Sequence, residues 1–147
     1  MKQITRRPYR VEDMVSLLAE TEPETETWIR ERHIRTAETR MYGPAFSFFD
    51  GDCLIACAGL TVYWHGCGEA WLAPGKCWLQ YAKEAVIWTR RILDELQEGC
   101  KRIQADVVAS DTQARRFVKH YGFVEEGRMK AYDVLGRDCI RYARVRQ

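Results

Sequence analysis

The order of apolar runs and turn signals predicts a mixed α/β domain: a mixed, twisted sheet of about six or seven strands flanked by about four helices. Three observations carry that expectation. A meander of strand-like runs fills the middle of the chain, broken at Asp50-Gly51 and at His65-Gly66. A long amphipathic helix follows it, from about Lys76 to Glu98. After that helix the pattern switches to strand, short helix and a final pair of strands.

Gln3–Arg6 reads as a short strand that Pro8 ends. From Val11 to Glu20 the residues Val11, Met14, Val15, Leu17 and Leu18 keep helical spacing, and Glu22-Pro23 then breaks the chain. Glu24–Glu38 is mostly charged, with Trp28, Ile29 and Ile34 as its apolar anchors, which fits a helix with a narrow buried stripe or a flap. Ala45–Phe49 and Cys53–Trp64 read as strands joined at an Asp-Gly turn, a hairpin signal. Glu69–Leu72 is a short strand that Ala73-Pro74-Gly75 ends. Along the long helix Leu79, Ala82, Val86, Leu93 and Leu96 form the inner stripe, widened by Trp78, Ala85 and Ile92, and Gly99 caps it. Arg102–Ala109 is a strand with Ile103, Ala105, Val107 and Ala109 on one face. Ser110 or Asp111 caps a short helix ending before Gly122, and Phe123–Val134 with Asp138–Val145 form a last hairpin.

The 147 residues fit one domain, 1–147, and 46% apolar content supplies a core. Lys and Arg number 23 against 21 Asp and Glu, a net charge of +2, so no field over the whole protein points to nucleic acid. The N-terminal MKQITRRPYR lacks an apolar stretch after its charges, and no run approaches the roughly 18 apolar residues of a membrane helix. A cytoplasmic protein is expected. The six cysteines, at 53, 57, 67, 77, 100 and 139, are irregularly spaced and read as small buried hydrophobes in a reducing compartment. Cys53 and Cys57 would stand about 13 Å apart on a strand, and no two pairs have the spacing of a structural zinc site, so no metal is expected.

From Asp111 to Phe123 the chain reads DTQARRFVKHYGF, followed by VEEGR to Arg128. This resembles the segment N-x-x-A-x-x-[FL]-Y-x-x-x-G-F-x-x-x-G of the GNAT superfamily, the acetyl-CoA-dependent N-acetyltransferases. The order of elements along nearly the whole chain agrees, as do the Arg7-Pro8 start and the Glu12-Asp13 pair opening the first helix. The resemblance implies a GNAT-like fold in which the fourth and fifth strands splay apart around acetyl-CoA. The pantetheine would pair with the fourth strand near Leu72 and Ala73. The pyrophosphate would meet backbone N–H groups at the start of the long helix, at Gly75, Lys76 and Cys77, where unpaired donors and the helix dipole favour anions. Asp111 and Arg115 would complete the cofactor site, with Arg116 near the phosphates. Transfer would be direct, with a base taking the proton of the attacking amine and an acid protonating the thiolate.

The sequence also departs from that family. Its [RQ]-x-x-G-x-[GA] loop is replaced by PGKCWLQY, residues 74–81, which keeps one glycine and one lysine and adds the bulky Trp78 and Tyr81. Lys76 reads equally as a phosphate contact and as a solvated first-turn residue. The Tyr that usually follows [FL] is Val118; Tyr121, three residues on, reads as core ahead of general acid. Glu69 and His65 are the candidate bases, beside their plainer readings as a solvent-facing strand Glu and a turn His. Trp64 and Trp71 read as core. Asp111 in place of Asn keeps the helix cap.

Two functions follow. The first is an acetyl-CoA-dependent N-acetyltransferase acting on a small-molecule or protein amine, with an open cleft between the Glu69–Leu72 and Arg102–Ala109 strands. Acidic residues Glu24, Glu26 and Glu31 would attract a cationic acceptor, and a homodimer would fit the family. The alternative is a non-catalytic GNAT-fold protein like the reduced forms encoded by tailed phages and prophages, a virion or host-interaction component whose cleft is filled by Trp78 or Tyr81.

Overall fold

The computed structural model describes residues 2–22 and 26–147; the expected chain break at Pro23 and the acidic Glu24 lie outside them. Its elements are β1 (Thr5–Pro8), α1 (Val11–Thr21), α2 (Thr27–Thr39), β2 (Ala45–Asp50), β3 (Cys53–Trp64), β4 (Cys67–Pro74), a 3-10 turn (Trp78–Tyr81), α3 (Ala82–Glu98), β5 (Arg102–Val108), α4 (Thr112–His120), β6 (Val124–Met129) and β7 (Cys139–Val145). The strands form a seven-stranded sheet in the order β1-β2-β3-β4-β5-β7-β6. The expected mixed sheet and its helices are present. The chain divides into two compact units, residues 1–61 with 71–92 and residues 62–70 with 93–147.

In the first unit β1 runs antiparallel to β2, with Thr5 opposite Phe49 and Pro8 opposite Phe46. Pro8 therefore lies inside the strand instead of ending it; β1 is an edge strand, where a missing N–H costs no ladder bond. β2 pairs antiparallel with β3 from Ala45↔Gly59 to Asp50↔Cys53, through a turn in which Gly51 takes φ 60°. Met14 and Leu17 of α1, Ala37 of α2, Cys57 of β3, and Trp71 and Ala73 of β4 make a buried cluster. Helix α2 buries Ile29, His33 and Ala37, an i, i+4, i+8 stripe, whereas Trp28 is half exposed.

The long helix begins later than its sequence suggests. Residues 78–81 form a tighter 3-10 turn, which resets the phase of the face that follows. Tyr81, Glu84, Ala85, Ile92 and Leu93 are buried, while the expected stripe residues Leu79 and Val86 face solvent.

In the second unit β4 runs parallel to β5 over Cys67↔Arg102, Gly68↔Ile103 and Glu69↔Gln104. β7 pairs antiparallel with β5 along its whole length and with β6 on its other side. Ile103, Ala105 and Val107 are buried on one face, as their alternation predicts. Asp111 caps α4 by accepting from the Ala114 N–H at 3.0 Å. β6 stops at Met129, short of the expected Val134. Residues 130–138 fold into a turn because Asp138 takes the Ala131 N–H at 3.0 Å and Asp133 takes those of Leu135 and Arg137.

The cysteines divide. Cys57, Cys67, Cys100 and Cys139 are buried as expected, but Cys53 is exposed and Cys77 half-buried. Trp71 is buried, and Trp64, expected in the core, is 67% exposed.

Candidate active site

Among the described residues, a cluster of ionisable side chains lies on the second unit. Asp106 on β5 stands opposite Arg141 on β7, and residues opposite in a ladder share a face of the sheet. The Arg141 guanidinium donates to the Asp106 carboxylate through Nε and Nη2, both at 2.9 Å, a two-pronged pairing that suits the planar groups. Glu69 reaches the same face, because its partner Gln104 is two residues from Asp106 along β5.

Glu69 stands near enough to both Asp106 and Tyr63, and Tyr132 to Asp106, for each to influence the other's titration. Burial alone would raise the Asp106 carboxyl. Arg141, with the hydrogen bonds from Glu69 and Tyr132, outweighs it and holds Asp106 below the ordinary carboxylate value. Burial, and then the Glu69 carboxyl, push the Tyr63 phenol up to about 12. Burial and the Asp106 charge raise Tyr132 in the same direction. Both phenols therefore remain protonated donors at neutral pH, beside the two carboxyls.

Tyr132 arrives there by way of the 130–138 turn. Its own N–H donates to the Arg137 carbonyl at 3.0 Å, and Ala131 before it takes the left-handed φ of 48°. Glu69 was expected as a candidate base; Asp106, Arg141, Tyr63 and Tyr132 were not singled out. The alternation of Arg102, Gln104 and Asp106 opposite the apolar face of β5 was the available sign of a polar face.

His65 sits exposed in the β3–β4 turn. Tyr121 is 4% exposed, with its ring edge-on to Phe117 at 5.0 Å and to His120 at 4.9 Å, so it packs in the core. Arg115 donates to the Tyr142 hydroxyl at 3.0 Å, the Ala109 carbonyl at 3.3 Å and Glu125 at 3.2 Å. It ties α4 to β6, β7 and the residue that follows β5.

The loop before α3 belongs to the first unit. Leu72 is partly exposed, Ala73 is buried, and Gly75 donates its N–H to the Ile55 carbonyl at 2.8 Å. A Cβ on Gly75 would lie 2.8 Å from Leu17 Cδ2 and 2.9 Å from the Ile55 oxygen, so close packing dictates this glycine. The Lys76 N–H points at the Glu20 carboxylate of α1, at 3.4 Å, and the Trp78 N–H donates back to the Gly75 carbonyl. The Lys76 amide thus already faces an anion, held at the long end of hydrogen-bonding distance. A phosphate there would replace one negative group by another, a contact the Lys76 side chain, exposed in the same loop, would strengthen.

Among the described residues no group of three or more His, Cys, Asp or Glu could hold a metal ion, and no helix is long and apolar enough to cross a membrane.

The chain has the fold of the GNAT N-acetyltransferases. Of 352 matching chains of solved structures, Ard1 from Thermoplasma volcanium superposes with a TM-score of 0.75 at 15% identity, covering 98% of both chains. A spermidine N-acetyltransferase variant from Vibrio cholerae gives 0.72 at 19% identity, over 99% of this chain and 95% of that one. The ribosomal-protein-S5-alanine acetyltransferase from Vibrio fischeri gives 0.67 at 16% identity, over 99% and 94%. No family model matches the sequence, and no curated protein matches it.

Proposed function

We propose that this chain transfers an acetyl group from acetyl-CoA to an amine, with Glu69 as the group that receives the amine's proton. The observation that carries the reading is the Glu69–Asp106–Arg141 arrangement flanked by two phenols. An alkyl amine is protonated at neutral pH and attacks only after losing that proton. Asp106, held as an anion by Arg141, attracts the ammonium group. Glu69, beside it, accepts the proton from the amine as its carboxylate. Tyr63 and Tyr132, both kept protonated, would be available as donors to a leaving thiolate. The acetyltransferases of the same fold, which by name act on spermidine and on a ribosomal protein's alanine, support an amine acceptor without selecting one.

The Leu72–Cys77 segment would take the acetyl-CoA, with the amide and side chain of Lys76 toward its phosphates. Asp111 serves as the α4 cap, and Arg115 holds that helix in place.

Calorimetric titration of acetyl-CoA into the wild type and Lys76→Glu tests the first half of this reading. Release of free CoA thiol with a panel of amines, including spermidine and an alanine N-terminal peptide, tests the second. Micromolar binding weakened by Lys76→Glu, with turnover lost in Glu69→Gln, is the expected result. No binding at millimolar acetyl-CoA would overturn it and leave the non-catalytic alternative, a phage or prophage component, standing.

A further inference from the structure

Cys53 and Cys77 are neighbours in space. Their sulfurs lie 3.6 Å apart, although 24 residues separate them in sequence. Cys53 opens β3 and is exposed; Cys77 caps the 3-10 turn that leads into α3 and is half-buried. The Cys77 sulfur also lies 4.0 Å from the carbonyl of Leu54, the residue after Cys53, so it is seated against the start of β3. The other four cysteines are buried. Two thiols in contact, one open to solvent, form a dithiol that a small disulfide reaches from outside.

We infer that Cys53 and Cys77 are a redox-modification site, a vicinal pair in space that low-molecular-weight disulfides of the glutathione class convert to an internal disulfide. The exposed Cys53, as its thiolate, attacks one sulfur of the oxidised reagent and forms a mixed disulfide, releasing one glutathione thiolate. Cys77, as its thiolate, then attacks the Cys53 sulfur and releases the second. Two protein thiols lose two electrons and two protons, and one glutathione disulfide becomes two glutathione thiols. The sulfurs must close from 3.6 Å to a bond length of about 2.05 Å, which both side chains approach by turning about Cα–Cβ.

The order of attack follows from surroundings. Burial, followed by the adjoining Cys53 thiol, raises Cys77 above its ordinary value, so Cys77 is a poor first nucleophile. It becomes effective once a mixed disulfide stands beside it, because the reaction is then intramolecular. The bridge would fasten the loop ahead of α3 to the first residue of β3. The inference needs no acetyl-CoA at that loop and stands apart from the catalytic reading.

The test uses the intact chain equilibrated with reduced or with oxidised glutathione, quenched with acid, then denatured and alkylated. Six alkylated cysteines after reduced glutathione, four after oxidised glutathione, and a peptide linking Cys53 to Cys77 are expected. In Cys53→Ser and in Cys77→Ser no internal bridge forms. Mapping of the wild type decides the matter even where a variant fails to fold. Six alkylated cysteines after oxidised glutathione would overturn the inference, as would a bridge through any of the other four or a glutathione retained on Cys53 with Cys77 still free.

Discussion

Asp106 and Arg141 face each other across β5 and β7, and both nitrogens of the guanidinium edge reach the carboxylate at 2.9 Å. The Asp106 side chain is 9% exposed and that of Arg141 32%. The pair is therefore partly desolvated, and its two members are unequal: removing the arginine strands a nearly buried anion, whereas removing the carboxylate leaves a cation that still reaches water.

Arg141→Met should accordingly cost about 2 kcal/mol at pH 7, below the figure for a fully buried pair because Arg141 is partly solvated. The folded Asp106 titrates below its unfolded value. Its contribution is present in full above the ordinary carboxylate range near pH 4 and disappears as the pH falls through the lower folded value. Urea melts of wild type and variant should thus differ at pH 7 and converge in strong acid. Equal midpoints at pH 7 would show that the pair contributes nothing.

Glycine is needed for space at two places in the first unit. A Cβ on Gly59 would meet the Pro44 carbonyl at 2.4 Å and the Ala45 Cα at 2.7 Å, all backbone or nearly so. At Gly75 one of the two close atoms is the end of a leucine side chain. Gly59→Ala should therefore destabilise by about 3 kcal/mol and Gly75→Ala by less, about 1–2 kcal/mol, since Leu17 can yield. Thermal or urea unfolding of both variants would show the ranking.

Glu20 competes for the Lys76 amide that the proposed phosphate contact requires. Glu20→Gln keeps the side-chain shape and removes the charge. Its affinity for acetyl-CoA should rise about three- to tenfold at low salt, with a smaller gain at high salt as screening grows. Calorimetry at two ionic strengths checks this, and unchanged affinity would remove Lys76 from the phosphate contact.

Glu69→Gln keeps a hydrogen-bonding group beside Tyr63 and Asp106 but ends carboxyl proton exchange. Turnover should fall by about 10²-fold or more, with acetyl-CoA affinity unchanged. Raising the pH toward the pKa of the acceptor amine should restore part of the loss, because the unprotonated amine then enters unaided. An unaltered rate at neutral pH would exclude Glu69 as the base.

Periodicity located the strands and helices because one-sided burial leaves a repeating mark, as Ile103, Ala105 and Val107 do on β5. On α3 it placed Ala85, Ile92 and Leu93 on the buried face, where they lie, but also Leu79 and Val86, which are exposed, since a 3-10 turn at 78–81 changes the phase at the start and leaves no periodic trace in so few residues. It extended β6 to Val134 because the apolar Val134 and Leu135 resemble strand residues, whereas Asp133 and Asp138 set the turn through side-chain bonds to the backbone. Of the proposed site, Glu69 was already a candidate through its place on the fourth strand. Asp106, Arg141, Tyr63 and Tyr132 were hidden, for they meet through ladder register and a turn that brings residues far apart in sequence onto one face.

The anchoring of Gly75 has a further consequence. Its amide is bonded to β3, and the space where a Cβ would stand is taken by Leu17 and the Ile55 oxygen, so this loop residue is held by both its backbone bond and its packing. Its amide hydrogen should exchange with solvent deuterium far more slowly than those of its neighbours in sequence. A ligand arriving at the loop would find that part of it immobile beforehand, and would lose little entropy in fixing it.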